Sequence, residues 1–269
     1  MRICHRLCLL LTAFLSWIAI SCGGTGDPSI TEHSNPLPET LRVVVLDTLF
    51  HDTGAFTQGF EIREGILWES TGLYGSSSLR KLDSSTGELL EEWPLPVTLF
   101  GEGITIVNDQ IFQLTWQSGF VLSWNLEDPE PVVAGTIETQ GWGICAIDRN
   151  TVVTSDGSFL LSFRNVSDFN TIRSIPVTLD DVPQIYLNEL EYADGWIYAN
   201  QWNSDRILRI DPASGCVEAL IDASDLLSPD DTLNAGPLNG IAWDAERQAF
   251  LLTGKYWPWI FAVRFEKIL

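Results

Sequence analysis

Apolar residues in this chain fall into short runs broken by polar turns, and the runs recur in a fixed order. The first, Leu41–Phe50 (LRVVVLDTLF), is rich in β-branched residues and predicts a strand. Anchor stretches follow: Thr57-Gln58-Gly59-Phe60, Gly101-Glu102-Gly103-Ile104, Gly141-Trp142-Gly143-Ile144, Leu187-Asn188-Glu189-Leu190 and Leu238-Asn239-Gly240-Ile241. Their third positions, Gly59, Gly103, Gly143, Glu189 and Gly240, stand 44, 40, 46 and 51 residues apart. Each anchor opens a short strand and a turn, such as Ala193-Asp194-Gly195. A second apolar strand comes next (66–71, 111–116, 151–156, 196–202, 249–257), then a third (76–83, 119–125, 158–164, 205–211, 259–265). The first four repeats continue into a fourth strand (89–95, 132–138, 171–177, 216–222), whereas the fifth runs out at Leu269.

Repeats of this length, each worth four strands, suit the blades of a propeller. The expected fold is all-β: a five-bladed β-propeller whose last blade is closed by the N-terminal strand at about residues 41–50. Almost no helix is expected beyond one short turn at Asp222–Leu227, and the polar stretch Ser228–Pro237 reads as an insertion.

Innermost propeller strands line a central channel, so equivalent positions converge at its mouth. The anchor slot supplies Gln58, Glu102, Trp142, Asn188 and Asn239, and the ends of the second strands supply Thr71, Trp116, Asp156, Trp202 and Lys255. Taken singly, a strand-end Trp is blade packing, and Asp156 or an Asn is a turn cap. Taken together they are polar and aromatic groups brought to one mouth. Glu102 stands out because glycines on both sides let the backbone come close to a neighbour or a ligand.

The N-terminus has a different character. Arg2, His5 and Arg6 precede the apolar run Leu7–Ile20, which is too short for a spanning helix, and small residues then lead to Cys22. Residues 1–21 are expected to be a lipoprotein-type signal peptide, with Cys22 the lipidated residue and the only membrane attachment. Residues 22–40 are expected to be a flexible tether and 41–269 the folded domain. The implied location is exported, as a periplasmic or cell-envelope lipoprotein, with plain secretion the alternative.

Acidic residues outnumber basic ones, 36 to 15, for a net charge of −21. Such a chain repels nucleic acid and suits a neutral or cationic small substrate. Cys145 and Cys216 remain after the N-terminal cysteines are set aside, and either a disulfide or two unpaired thiols fits an exported protein. No His/Cys cluster with zinc spacing exists, so no metal and no cofactor is expected.

A larger set of motifs resembles a known family. Phe56-Thr57-Gln58-Gly59, Phe100-Gly101-Glu102-Gly103, Gln113-Leu114-Thr115-Trp116, Gly141-Trp142-Gly143, Leu187-Asn188-Glu189-Leu190-Glu191-Tyr192, Ala199-Asn200-Gln201-Trp202 and Thr253-Gly254-Lys255-Tyr256-Trp257-Pro258 are in order and at family-like spacing. Together they resemble the plant and bacterial type of glutaminyl cyclase. One departure is Thr139-Gln140 before Gly141, where an acidic residue is more usual. The resemblance implies a five-bladed propeller acting as a monomer, without a cofactor, on peptides or proteins with an N-terminal glutamine. It implies Glu102 as the acid/base, Lys255 and Asn188 as groups holding the developing oxyanion, and Phe56, Gln58, Phe100, Trp116, Trp142 and Trp202 as the substrate-binding wall. Two other classes compete: a peptide- or sugar-binding propeller without catalysis, and a calcium-dependent lactonase-like hydrolase using Glu102, Asn188 and Asn239 as ligands.

Overall fold

The structure, a computed structural model, describes residues 37–126 and 130–268; the expected signal peptide, Cys22 and most of the tether lie outside the described residues. Strand β1 (Glu39–Phe50) begins two residues before its expected start. Then come β2 (Thr57–Arg63), β3 (Ile66–Thr71), β4 (Ser78–Asp83) and β5 (Leu89–Pro94), followed by β6 (Gly101–Val107), β7 (Gln110–Thr115), β8 (Phe120–Asn125) and β9 (Val132–Thr136). Next are β10 (Ile144–Asp148), β11 (Thr151–Thr154), β12 (Leu160–Asn165) and β13 (Thr171–Pro176), and then the short hairpin of β14 (Thr178–Leu179) and β15 (Val182–Pro183). The chain continues through β16 (Leu187–Ala193), β17 (Trp196–Gln201), β18 (Arg206–Ile210) and β19 (Val217–Asp222), and ends with β20 (Leu238–Asp244), β21 (Ala249–Gly254) and β22 (Trp259–Lys267).

Strands β2 to β5, β6 to β9 and β10 to β13 form three four-stranded antiparallel sheets. The remainder form one eight-stranded sheet, in the order β16-β17-β18-β19-β1-β22-β21-β20. Strand β1 pairs antiparallel with β22 from Leu41↔Lys267 to Phe50↔Trp259. Its first residues also pair in parallel with β19, from Glu39↔Ala219 to Arg42↔Asp222, which welds the two halves of that sheet together. The expected helical turn at Asp222–Leu227 is absent. There the Asp222 carboxylate accepts from Ser224 N at 3.0 Å and makes a turn instead. The helical residues, Asp231–Leu233 in a 3-10 turn, lie inside the 228–237 insertion. Cys145 is a free buried thiol, while Cys216 is disulfide-bonded, so the two are neither a pair nor both unpaired.

Apolar side chains of neighbouring four-strand units interlock, as where Trp68 and Leu79 of one meet Ile104, Ile111 and Trp124 of the next. The innermost strands β2, β6, β10, β16 and β20 touch in cyclic order, with β20 returning to β2. Their backbones come so close that a side chain has no room. A Cβ on Gly103 would lie 2.7 Å from Trp142 O, and one on Gly143 would lie 2.0 Å from Asn188 O. In the fourth anchor the slot holds Glu189, whose carboxylate spans the ring. It accepts Phe60 N at 3.3 Å and Ile241 N at 2.9 Å, so one side chain stitches β16 to both β2 and β20.

Glu189 has company deep in the channel. Glu191 accepts Trp243 N at 3.1 Å, and Glu61 is held by Thr105 and Ile106. Burial, reinforced by the mutual repulsion of these carboxylates, raises Glu189 and Glu191 well above the usual range. Burial pushes Glu61 up to about 8, against the opposing pull of Thr105, Arg63 and Ile106. Because the folded value lies above the ordinary 4.5, stability is fully present below that value and is lost as pH rises toward about 8. The midpoint of thermal unfolding is therefore expected to fall across this window, and Glu61→Gln is expected to flatten the fall, as scanning calorimetry at successive pH values would show.

Candidate active site

Four of the inner strands bulge where they carry a candidate side chain. Register slips by one residue between Thr57 and Gly59 on β2, Gly101 and Ile104 on β6, Leu187 and Leu190 on β16, and Leu238 and Ile241 on β20. A bulge turns the extra residue out of the ladder and re-aims it. The re-aimed segments contain Gln58, Glu102, Asn188 and Asn239. Phe56, Phe100 and Trp142 stand just before β2, β6 and β10, while Trp116, Trp202 and Lys255 follow β7, β17 and β21.

One cavity of about 430 Å³ is lined by Phe56, Gln58, Phe100, Glu102, Trp116, Trp142, Asn188, Trp202 and Lys255. Its wall is a chain of rings. Phe100 meets Phe56 edge-on at 6.1 Å between centroids, and tilts against Trp116 at 5.4 Å. Trp142 meets Trp202 edge-on at 6.1 Å, and Trp202, 40% exposed, forms the lip with Tyr186. Gln140 Oε1 accepts from Trp116 Nε1 at 2.8 Å and from Trp142 Nε1 at 3.1 Å. The residue that departs from the family pattern thus clamps two indoles with one amide oxygen.

Glu102 sits within this apolar wall, 4% exposed. Burial drives its pKa well above the carboxylate range, while Lys255 and a hydrogen bond from Gln58 pull in the other direction. Burial likewise lowers Lys255 to about 8, opposed by the charge of Glu102. The two act on each other across the cavity. The Lys255 ammonium also lies 4.5 Å from the centre of the Phe56 ring. Asn239 Nδ2 donates to Thr57 O at 3.0 Å and to Gln58 Oε1 at 3.2 Å. With its oxygen so occupied, Gln58 presents its N–H to Glu102. Asn188 is fixed by its main-chain oxygen, which accepts from Ser155 Oγ at 2.6 Å, while its buried side-chain Oδ1 has no partner. A buried acceptor left open inside a cavity is available to a ligand's N–H.

The remaining mouth candidates do other work. Thr71 bonds Ser78 Oγ at 2.8 Å within its own sheet. Asp156 caps Ser158 N at 3.0 Å, which is the turn role. Asn239 stands behind Gln58 and does not line the cavity. A carboxylate facing a lysine is also a poor cation cradle, and among the described residues no group of His, Cys, Asp and Glu is arranged to hold a metal. Gln140 has no repeat-based signal that would have found it.

Comparison with known proteins bears on this cavity. The family model described as glutamine cyclotransferase matches residues 18–265. A protein of Arabidopsis thaliana named glutaminyl-peptide cyclotransferase is 33% identical over 261 residues, covering 94% of this chain and 80% of that protein. The crystal structure of Myxococcus xanthus glutaminyl cyclase superposes with a TM-score of 0.77 at 32% identity, covering 86% of this chain and 100% of that one.

The Asn239–Gln58–Glu102 relay has a direct test. Asn239→Ala is expected to free the Gln58 amide, weaken its bond to Glu102 and so raise the pKa of Glu102 further, read by carbon NMR of the labelled carboxyl. It is also expected to cost about 1–3 kcal/mol in urea unfolding, from the unpaired buried groups.

Proposed function

The chain belongs to the glutamine cyclotransferase family, and from that premise we propose that it is a glutaminyl-peptide cyclotransferase in which Glu102 shuttles the proton. The reaction closes an N-terminal glutamine into pyroglutamate and releases ammonia. The observation that carries the mechanism is a single buried carboxylate facing Lys255 inside an aromatic cavity. In the same reading the four-strand units are five blades around one channel, supported by the three four-stranded sheets and the two halves of the eight-stranded one.

The α-amine must attack as the free base, yet its ordinary pKa of about 7.7–8.0 leaves much of it as ammonium at neutral pH. An ammonium entering beside an ionised Glu102 yields its proton, because the dry wall favours the neutral acid over the carboxylate. One transfer thus frees the nucleophile and loads the acid. The amine attacks the γ-carbonyl carbon, and the Lys255 ammonium faces the oxygen as negative charge develops. Glu102 then gives its proton to the departing amide nitrogen. The carboxylate takes the proton of the new ring nitrogen and hands it to the ammonia, which leaves as ammonium, so Glu102 ends ionised as it began. The proton count is unchanged over the cycle, and no external group carrier is consumed. Asn188, expected from the sequence to hold the same oxygen, presents instead an unpaired Oδ1, which suits an N–H of the substrate. Trp116, Trp142 and Trp202 hold the small side chain folded for attack and keep water out.

Purified protein given a glutamine-leading peptide, with chelator present, is expected to release ammonia and form pyroglutamate. Rate should fall as pH rises through about 8, where Lys255 loses its proton. Glu102→Gln is expected to lower kcat by about 10²–10⁴-fold with the fold intact. A full-rate Glu102→Gln enzyme would remove Glu102 from the chemistry, and absence of cyclisation by the wild type would remove the function.

The N-terminal pattern supports an exported lipoprotein attached through Cys22. Metabolic palmitate labelling that is lost in Cys22→Ser is the expected outcome, and an unlabelled mature protein would exclude the anchor.

A further inference from the structure

His51 is 1% exposed, follows β1 and lies behind the cavity wall, outside the chemistry described above. Its main-chain N–H donates to Pro258 O at 3.0 Å. Its ring Nδ1 lies 2.7 Å from Trp257 O, and Nε2 lies 2.9 Å from Glu69 Oε1. A carbonyl and a carboxylate only accept, so both ring nitrogens must carry hydrogen and the ring is an imidazolium. Thr253 Oγ1, 3.2 Å from Nδ1, already donates to Trp259 O and supplies no competing donor. The charges packed around the ring are Glu69 on β3, Arg80 on β4 and Asp52 beside it in the chain. Arg80 bonds Glu69 Oε2 at 3.2 Å and Asp52 Oδ2 at 2.6 Å, with Glu92 of β5 3.6 Å from its Nε. Burial opposes the imidazolium charge, but Glu69 outweighs it and holds the His51 pKa above its ordinary value.

This pair has a hand on both sides of the cavity. Glu69 Oε1 also accepts Thr57 Oγ1 at 2.7 Å. Thr57 stands between Phe56, whose ring supports the Lys255 ammonium, and Gln58, the donor to Glu102. On the other side His51 pins residues 257 and 258, the end of the turn that carries Lys255, and Tyr256 N of that turn donates to Ala55 O at 2.7 Å. We propose that His51 and Glu69 form a positioning pair that sets the reach between Lys255 and Glu102, by tying the Lys255 turn and the Phe56–Gln58 segment to one buried carboxylate. Neutral histidine cannot serve here, because one nitrogen would then turn a lone pair toward an oxygen. The catalytic side of this inference rests on the cyclotransferase reading of the cavity. A cavity that must hold a small amide between two groups is sensitive to slack, and misplacement by about 1 Å can cost about 10²-fold.

The chain contains only three lysines, Lys81, Lys255 and Lys267, so protein labelled at the lysine ε-carbon gives a simple NMR titration. In the wild type Lys255 is expected to titrate near 8. In His51→Asn and Glu69→Gln it is expected to move up toward the ordinary lysine value, because a loosened turn lets the ammonium reach water. Activity toward a glutamine-leading peptide is expected to fall at least about tenfold, mainly in kcat with KM little changed, and the alkaline limb of the pH profile should move with the lysine. Folded variants with an unmoved Lys255 titration and wild-type kcat would overturn the proposal, whatever their loss of thermal stability. Thr57→Val covers the case in which those variants do not fold. It cuts one tie without stranding a buried charge, and is expected to move both readouts in the same direction by less; no movement in either would again overturn the proposal. The lysine titration does not depend on turnover. If the wild type fails to cyclise glutamine, the function falls while the positioning pair is still judged by Lys255.

Discussion

Backbone has to meet backbone where the innermost strands converge, and the rest of this structure follows from that crowding. Gly103 and Gly143 lie so close to the next strand that no side chain fits. Strands packed this tightly cannot all stay in regular register, and β2, β6, β16 and β20 each take up one extra residue. The bulge throws a side chain toward the axis. Gln58, Glu102 and Asn188 reach the cavity because neighbouring strands left no other course for the chain.

The same convergence strips water from whatever points inward. At one level of the channel it encloses Glu61, Glu189 and Glu191, whose raised pKa values record the penalty of ionising there. Glu189 offsets part of that penalty structurally by accepting two main-chain N–H groups from different strands. At the mouth Glu102 and Lys255 are each pushed toward neutrality by burial and pulled back by the other's charge.

The arrangement of strands was largely legible along the chain. The polar turns and apolar runs fall within two or three residues of the observed strands, because in a repeat each turn must be punctuated locally. Glu102 was legible for a related reason: it stands between two glycines in one of the anchor stretches that recur along the chain, and the second position of each is an equivalent slot. What stayed hidden rests on partners distant in sequence. Neither the parallel pairing of β1 with β19 nor the β14–β15 hairpin has a periodic signature. Gln140 looked only like a departure from a family pattern, yet it clamps Trp116 and Trp142. Asn239 occupies a lining slot by spacing and stands behind Gln58 in space, because its amide is consumed by Thr57 O and Gln58.

The chain's own order of residues determined the strand programme, the glycines at the axis and the identity of the inward residues, since these depend on local turn chemistry and on the two-residue alternation of a strand. Tertiary structure alone decided the protonation of those residues. Burial and the approach of Lys255 to Glu102, or of Glu69 and Trp257 to His51, arise only when segments up to 206 residues apart are folded together. A carboxylate in solution between two glycines is an ordinary acid. Enclosed by Phe100, Trp116 and Trp142, with water excluded, its ionised form is disfavoured and it takes up a proton far more readily.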